Sequence, residues 1–167
     1  MAIRIQRCTA ETAEGFRRAL DAVARERRHL AYLQAPPPET MRRFVERILA
    51  KGWSQFYALD ENRVVGWCDI LPDEREGQTH CGRLGMGLLP EYRGRGIGAR
   101  LISATLADAL GKGLTRIELE VFASNTRARA LYRKAGFAEE GRKRRARILD
   151  GVADDIVIMA LLPPPGR

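Results

Sequence analysis

Cysteine is scarce: the chain has three in 167 residues, Cys8, Cys68 and Cys81. An odd, widely spaced set is no basis for a disulfide framework, so a reducing compartment, the cytoplasm, is expected. Nor do the cysteines and two histidines fall at metal-ligand spacing. His80 and Cys81, placed opposite Cys68 across an expected strand pair, lack a fourth ligand, and no metal is expected. Long apolar runs are also missing. The longest, Ile156 to Leu162, is far short of the roughly 18 residues that a membrane span needs. The N-terminus MAIRIQRCTAE has no apolar stretch between a basic start and a small-residue cleavage site, so no secretory leader is expected. Three catalytic signatures are absent as well: the Walker G-x-x-x-x-G-K-[ST], the G-x-S-x-G elbow and an evident Cys–His pair. There is no zinc-finger spacing, RNP-like aromatic strand motif or GXXG clamp either.

Positive charge is in surplus. Lys and Arg number 29 against 21 Asp and Glu, a net +8, with clusters at 25–28, 93–100, 127–134 and 142–147. Counterion release would give such a surface some non-specific affinity for nucleic acid. A small polyanion such as a nucleotide cofactor explains the charge equally well, and no specific nucleic-acid partner is expected. The apolar fraction of 45% is too high for a disordered chain, and a single domain over 1–162 is expected, with 163–167 as a disordered tail.

Ile3 and Ile5 suggest a short first strand. A helical stripe of Phe16, Leu20, Val23 and Leu30 predicts a helix from Thr9 to Leu33, stopped by Pro36-Pro37-Pro38. A second helix is expected over Glu39–Ala50. Phe56–Leu59 and Val64–Leu71 read as a hairpin about the turn Asp60-Glu61-Asn62-Arg63, and His80–Leu89 as a further strand. A helix over 97–110, a strand over 117–121 and a short helix over Asn125–Ala135 follow. Phe137–Leu149 and Val152–Leu162 flank an Asp150-Gly151 hairpin turn. The order β-α-α-β-β-β-α-β-α-β-β predicts one α/β (α+β) domain on a mixed sheet of about seven strands.

Between the strand ending at Leu89 and the helix at Ile97 lies Pro90-Glu91-Tyr92-Arg93-Gly94-Arg95-Gly96-Ile97-Gly98. First-turn amides have no intrahelical acceptor and carry the positive end of the helix dipole, so a strand, a glycine turn and a helix start make an anion site. Arg93 and Arg95 would add charge-assisted bonds. Gly94-x-Gly96-x-x-Ala99, with Glu118 downstream, also satisfies a dinucleotide pattern. Against that, about ninety residues precede the loop, and no further βαβ units follow to complete a doubly wound sheet.

Arg93-x-x-Gly96-x-Gly98 resembles the pyrophosphate-binding [QR]-x-x-G-x-[GA] motif of the GNAT superfamily of N-acetyltransferases. Leu119 to Phe137, LEVFASNTRARALYRKAGF, is similar to that family's next motif. Ribosomal-protein alanine N-acetyltransferases and bacterial amino-acid and phosphinothricin-type enzymes look nearest. The resemblance covers 64 to 162 and implies a sheet with helices on both faces, splayed between its fourth and fifth strands. It implies acetyl-CoA as co-substrate and direct transfer to an amine. Carried over, pantetheine runs along Met86, Gly87 and Leu88. The pyrophosphate lies on the amides of Gly94, Arg95, Gly96, Ile97, Gly98 and Ala99, and a backbone amide near Leu88 polarises the thioester. Asn125 would bond the pantetheine arm, or serve as a helix N-cap. Tyr132 matches the general acid that protonates the departing thiolate; the alternative is core packing. Glu120 matches a general base, the alternative being a salt-bridged strand carboxylate. Asp69 is a second candidate base, and a water relay a third.

The function so implied is an acyl-CoA-dependent N-acetyltransferase acting on a primary amine of a small molecule, an amino acid or similar compound. Alternatives are a protein N-terminal acetyltransferase, a non-catalytic acyl-CoA sensor and a basic nucleic-acid-binding protein. A homodimer is compatible with the sequence, which does not fix an oligomeric state. The run Arg142–Arg147 is expected on an edge strand kept soluble by charge.

Overall fold

The computed structural model describes residues 2–164; residues 165–167, most of the expected tail, lie outside the described residues. Seven strands form one sheet: β1 (Arg4–Arg7), β2 (Ser54–Asp60), β3 (Arg63–Pro72), β4 (Cys81–Leu88), β5 (Arg116–Phe122), β6 (Ala138–Leu149) and β7 (Val152–Leu161). Their spatial order is β1-β2-β3-β4-β5-β7-β6. All neighbours are antiparallel except β4 and β5, joined by helix α3 (Ile97–Gly111). The other helices are α1 (Ala13–Arg25), α2 (Pro38–Lys51) and α4 (Thr126–Lys134).

Strand alternation assigns the helices to opposite faces. Trp67 of β3 and Tyr57 of β2 lie against Phe16 of α1, with ring centroids 5.5 and 5.3 Å apart. Gly66, one residue away and therefore on the other face, lies under Leu101 of α3. The apolar stripes make both layers. Phe16, Ala19, Leu20, Val23 and Ala24 are buried on α1, and Ile97, Leu101, Ile102, Leu106 and Ala109 on α3. Gly87 permits close approach at β4. A Cβ on Gly87 would stand 2.2 Å from the Trp67 indole, so the ring covers β4 at that point.

Parallel pairing of β4 with β5 covers only Cys81, Gly82 and Arg83 against Arg116, Ile117 and Glu118. Beyond Arg83 the two strands separate while β4 stays paired to β3 as far as Leu88. The expected splay is therefore present.

Two expectations need correction. The first helix ends at Arg25, not Leu33, after a 3-10 turn at Ala10–Thr12. Arg27 turns left-handed (φ 57°) and its guanidinium bonds Asp150 at the far hairpin, while Asp21 accepts the Ala35 amide at 2.8 Å. Tertiary partners thus fold the chain back before Leu30 can extend the stripe. Second, Cys68 faces Met86 across the strand pair, and Cys81 lies past the partner of Pro72. The two thiols are not opposed, because the β3–β4 register sets Cys68 five residues from Cys81 along β4. The run Arg142–Arg147 does lie on the edge strand β6, which is bulged between Lys143 and Arg147.

Candidate active site

The phosphate loop is built by two left-handed glycines. Gly94 (φ 75°) and Gly96 (φ 76°, the N-cap of α3) reverse the chain between strand and helix without a Cβ penalty. Arg100 makes the first backbone bond of the helix, to the Gly96 carbonyl at 3.2 Å. The six amides from Gly94 to Ala99 donate to no acceptor among the described residues. A concave run of free N–H groups at a helix start fits a diphosphate, and a group without Cβ atoms at 94 and 96 leaves room for it.

Arg93 does not line this loop with its guanidinium, contrary to expectation. Its Nε donates to the Leu88 carbonyl at 2.9 Å, and its terminal nitrogens bond both oxygens of Glu26, at the end of α1. Arg93 thus ties the loop to strand β4 and to α1. Arg95 lies over the Tyr92 ring at 5.6 Å and is exposed. Arg127 of α4 approaches instead, its Nη2 3.3 Å from where a Gly94 Cβ would sit. Sequence reasoning did not single out Arg127; its signal was a basic residue in the first turn of a helix that faces the loop.

On β4, the Cys81 carbonyl and the Leu89 amide bond toward β3. Alternation then aims the main-chain groups of Met86 and Leu88 at the gap, where β5 no longer pairs. Gly87 lies between them, under Trp67. Met86 also closes the loop from below, its Cε 3.6 Å from the Gly98 Cβ position, beside Leu131.

Asn125 caps α4, its Oδ1 accepting the Ala128 amide at 3.2 Å. That leaves its side-chain N–H groups for another partner. Tyr132 is buried on α4, edge-on to Phe137 at 6.0 Å. Burial, with the Cys68 thiol as a lesser cause, raises its phenol above the ordinary value. Its hydroxyl makes no hydrogen bond to another described residue. A buried phenol without an internal acceptor is set up as a donor to whatever enters the gap.

Glu120 projects from β5 on the face that carries α1 and α2. Lys143 of β6 bonds it at 2.6 Å and Arg83 of β4 stands 3.7 Å away. Asp69 of β3 projects on the same face. It is paired in register with Gln55 on one side and Gly85 on the other. Gln55, Asp69 and Gly85 form one row across β2, β3 and β4, and Glu120 stands on the same face of β5 two residues beyond the last β4–β5 pair, Arg83 with Glu118. Asp69 is 7% exposed, and burial pushes its carboxyl up to about 7, the Gln55 amide offsetting part of the rise. Among the described residues no group of three or more His, Cys, Asp or Glu could hold a metal ion.

Comparison with known proteins agrees with this geometry. Residues 19–137 match the model of the acetyltransferase (GNAT) family. The N-alpha-acetyltransferase 30 of Schizosaccharomyces pombe is 32% identical over 108 residues, 63% of this chain and 72% of that protein. An N-acetyltransferase of Bacillus subtilis is 35% identical over 81 residues, 48% of this chain and 52% of that protein. A ribosomal-protein-alanine N-acetyltransferase from Brucella melitensis superposes with TM-score 0.87 at 21% identity, over 95% of this chain and 99% of that one. A phosphinothricin acetyltransferase from Sinorhizobium meliloti, solved with acetyl-CoA, gives TM-score 0.82 at 22% identity, over 97% and 89%. No described helix is long and apolar enough to cross a membrane. With the free-amide loop, the splayed strands and the family match together, the chain belongs to the acetyltransferase (GNAT) family and is an acyl-CoA-dependent N-acyltransferase.

Proposed function

We propose that this enzyme acetylates the primary amine of a small molecule, an amino acid or a compound like one, in the cytoplasm. The observation that carries the choice of acceptor is the charge pattern around Glu120: one carboxylate flanked by Lys143 and Arg83. An amino acid presents the mirror image, an ammonium beside a carboxylate. Its ammonium would meet Glu120 while its carboxylate meets the two cations. The three free cysteines fit a reducing compartment.

In this reading the amides of Gly94–Ala99, joined by Arg127, hold the diphosphate of acetyl-CoA, and the free edge of β4 at Met86–Leu88 holds its pantetheine as an added strand. The Leu88 amide polarises the thioester carbonyl. Asn125 bonds the pantetheine arm with its remaining N–H groups. Glu120 is the carboxylate that draws in the acceptor's ammonium and serves as a base in the transfer. Tyr132 gives its proton to the departing thiolate. A free phenol at the gap favours an enzyme over a non-catalytic sensor.

A second acceptor is favoured by one finding, the similarity to the S. pombe N-alpha-acetyltransferase 30. A protein N-terminus is also a primary amine, and the two readings part on size. Free-thiol release from acetyl-CoA, measured against amino acids, polyamines, aminoglycosides and N-terminal peptides, separates them. Turnover is expected with amino acids; turnover with peptides alone would assign the second reading. Tyr132→Phe is expected to lower kcat by about 100-fold with KM for acetyl-CoA within about threefold. Unchanged thiol release would remove Tyr132 from the acid role.

A further inference from the structure

Two protons must leave the acceptor nitrogen. An ammonium carries three hydrogens and the amide product carries one. The first is lost before attack, because a protonated nitrogen has no lone pair. The second is lost after the N–C bond forms, from a nitrogen now attached to a tetrahedral carbon and therefore far more acidic. The first step needs the stronger base, since alkyl and α-amines titrate near ~10 and ~8. Tyr132 does not serve the nitrogen, because its proton goes to sulfur.

Glu120 has one oxygen engaged by cations, its Oε1 meeting Lys143 at 2.6 Å and Arg83 at 3.7 Å. Asp69 differs in every respect. It is paired with no cation among the described residues, and the groups that sense it are Cys8 beyond β1, Tyr57 on β2 and its neighbour Cys68. From α1 the same face receives the apolar Phe16. Across the gap stand Glu120 of β5 and Lys143 of β6, and Arg83 lies two residues back on β4. Gly85 has no side chain to cover Asp69, whose Oδ1 lies 3.3 Å from where a Cβ would be. The carboxylate therefore reaches over β4 at the step where β5 has departed. Beside it the fully buried Gln55 turns its amide to the Asp69 carboxyl without closing a full hydrogen bond.

We propose that Asp69 is a second catalytic carboxylate: it takes the first proton from the acceptor's ammonium, and Glu120 takes the second. This rests on the reading of the enzyme as an amine acetyltransferase. In the first step an N–H bond breaks, its electron pair stays on nitrogen, and Asp69 becomes the neutral acid. The nitrogen then bonds the thioester carbonyl carbon, whose π pair moves to oxygen beside the Leu88 amide. When that pair returns, the C–S bond breaks, sulfur takes the Tyr132 proton, and the nitrogen gives its second proton to Glu120. One ammonium and one thioester become an amide, a thiol and one proton released to water. The raised Asp69 carboxyl matches the first task, because a base that titrates near working pH is both ionised and strong enough to act.

The test has two parts. In the full chain labelled with [4-13C]aspartate and saturated with CoA, one carboxyl resonance absent from Asp69→Asn should titrate near 7. Titration of that resonance in the ordinary range near 4 would overturn the proposal. Kinetics use whichever amine of the panel releases thiol fastest. Wild type should show a rising limb in kcat/KM near pH 7. Asp69→Asn should lose that limb and fall by about 100-fold or more at pH 7, with the gap closing toward pH 9.5, where the amine is neutral unaided. Glu120→Gln should keep the limb. A limb retained in Asp69→Asn and lost in Glu120→Gln would return the first proton to Glu120 and leave the acetyltransferase reading intact. If no amine in the panel supports thiol release, that reading fails and this one with it.

Discussion

At the scale of single residues, a buried carboxylate is a cost that folding must carry. Asp69 keeps its proton up to about pH 7 in the folded chain, against 3.8 for the ordinary side chain. Between those values the native state binds more protons than the unfolded one, so stability falls as pH rises through the window. Below about 4 the group is neutral in both states and contributes nothing; above about 7 the penalty is complete, a few kcal/mol. Asp69→Asn removes the charge and keeps the shape. It is expected to melt several degrees above wild type at pH 8 and together with it at pH 4. Thermal unfolding followed by circular dichroism across that range decides it, and equal melting at both ends would mean the ionised form is not penalised. Candidate site residues were named in sequence where a motif fixed them, as for Tyr132, Asn125 and the loop glycines. Gln55 was not. Its importance comes from the β2–β3–β4 register that sets it beside Asp69, and register depends on three strands separated by up to 30 residues. Arg93 shows the same limit, since nothing local announces that Glu26 will claim its guanidinium.

At the scale of elements, the phosphate loop is held from outside. Glu26 closes α1, and its bidentate bond to Arg93 leaves the two side chains about one-fifth exposed. Arg93 in turn holds the Leu88 carbonyl at 2.9 Å, so one guanidinium fixes the strand end, the loop and the helix end relative to one another. The Arg93 guanidinium holds the Glu26 carboxyl below its usual range, more than offsetting burial. That stabilisation is present above about pH 4.5 and is lost as pH falls through the lowered folded value. Glu26→Gln keeps the size and removes the charge. KM for acetyl-CoA is expected to rise about threefold to tenfold as the loop loosens, a cost of roughly 1 kcal/mol, while kcat changes less than twofold. An unchanged KM would mean the loop holds its shape without α1. Helices and strands were readable here because apolar periodicity and Gly or Pro boundaries are local signals. Gly52 at φ 64° ends α2 one residue after the predicted Ala50 region, and Asp150-Gly151 turns the last hairpin as its sequence demands. The α1 terminus was misread because Asp150, 123 residues away from Arg27, decides it.

At the scale of the whole molecule, the surplus of eight positive charges outlasts the ion pairs that consume the acids. CoA carries about four negative charges, so the two attract before they touch. Steering of this kind acts on encounter, not on the bound complex, and is screened over about 10 Å at 0.1 M salt. The expected signature is therefore a split: kcat/KM for acetyl-CoA falling about tenfold between low and 0.3 M NaCl, with kcat nearly flat. Steady-state kinetics at several salt concentrations, repeated in potassium acetate to separate ionic strength from chloride, measure it. A flat kcat/KM would show that capture depends only on the loop amides and their immediate cations, and that the remaining basic surface answers to another demand, such as keeping the long edge strand β6 from pairing with other chains. A parallel fall in kcat would place the salt effect in the chemistry, most directly by screening Glu120 from Lys143. The split between the two constants therefore assigns the charge either to collecting the co-substrate or to arranging the acceptor.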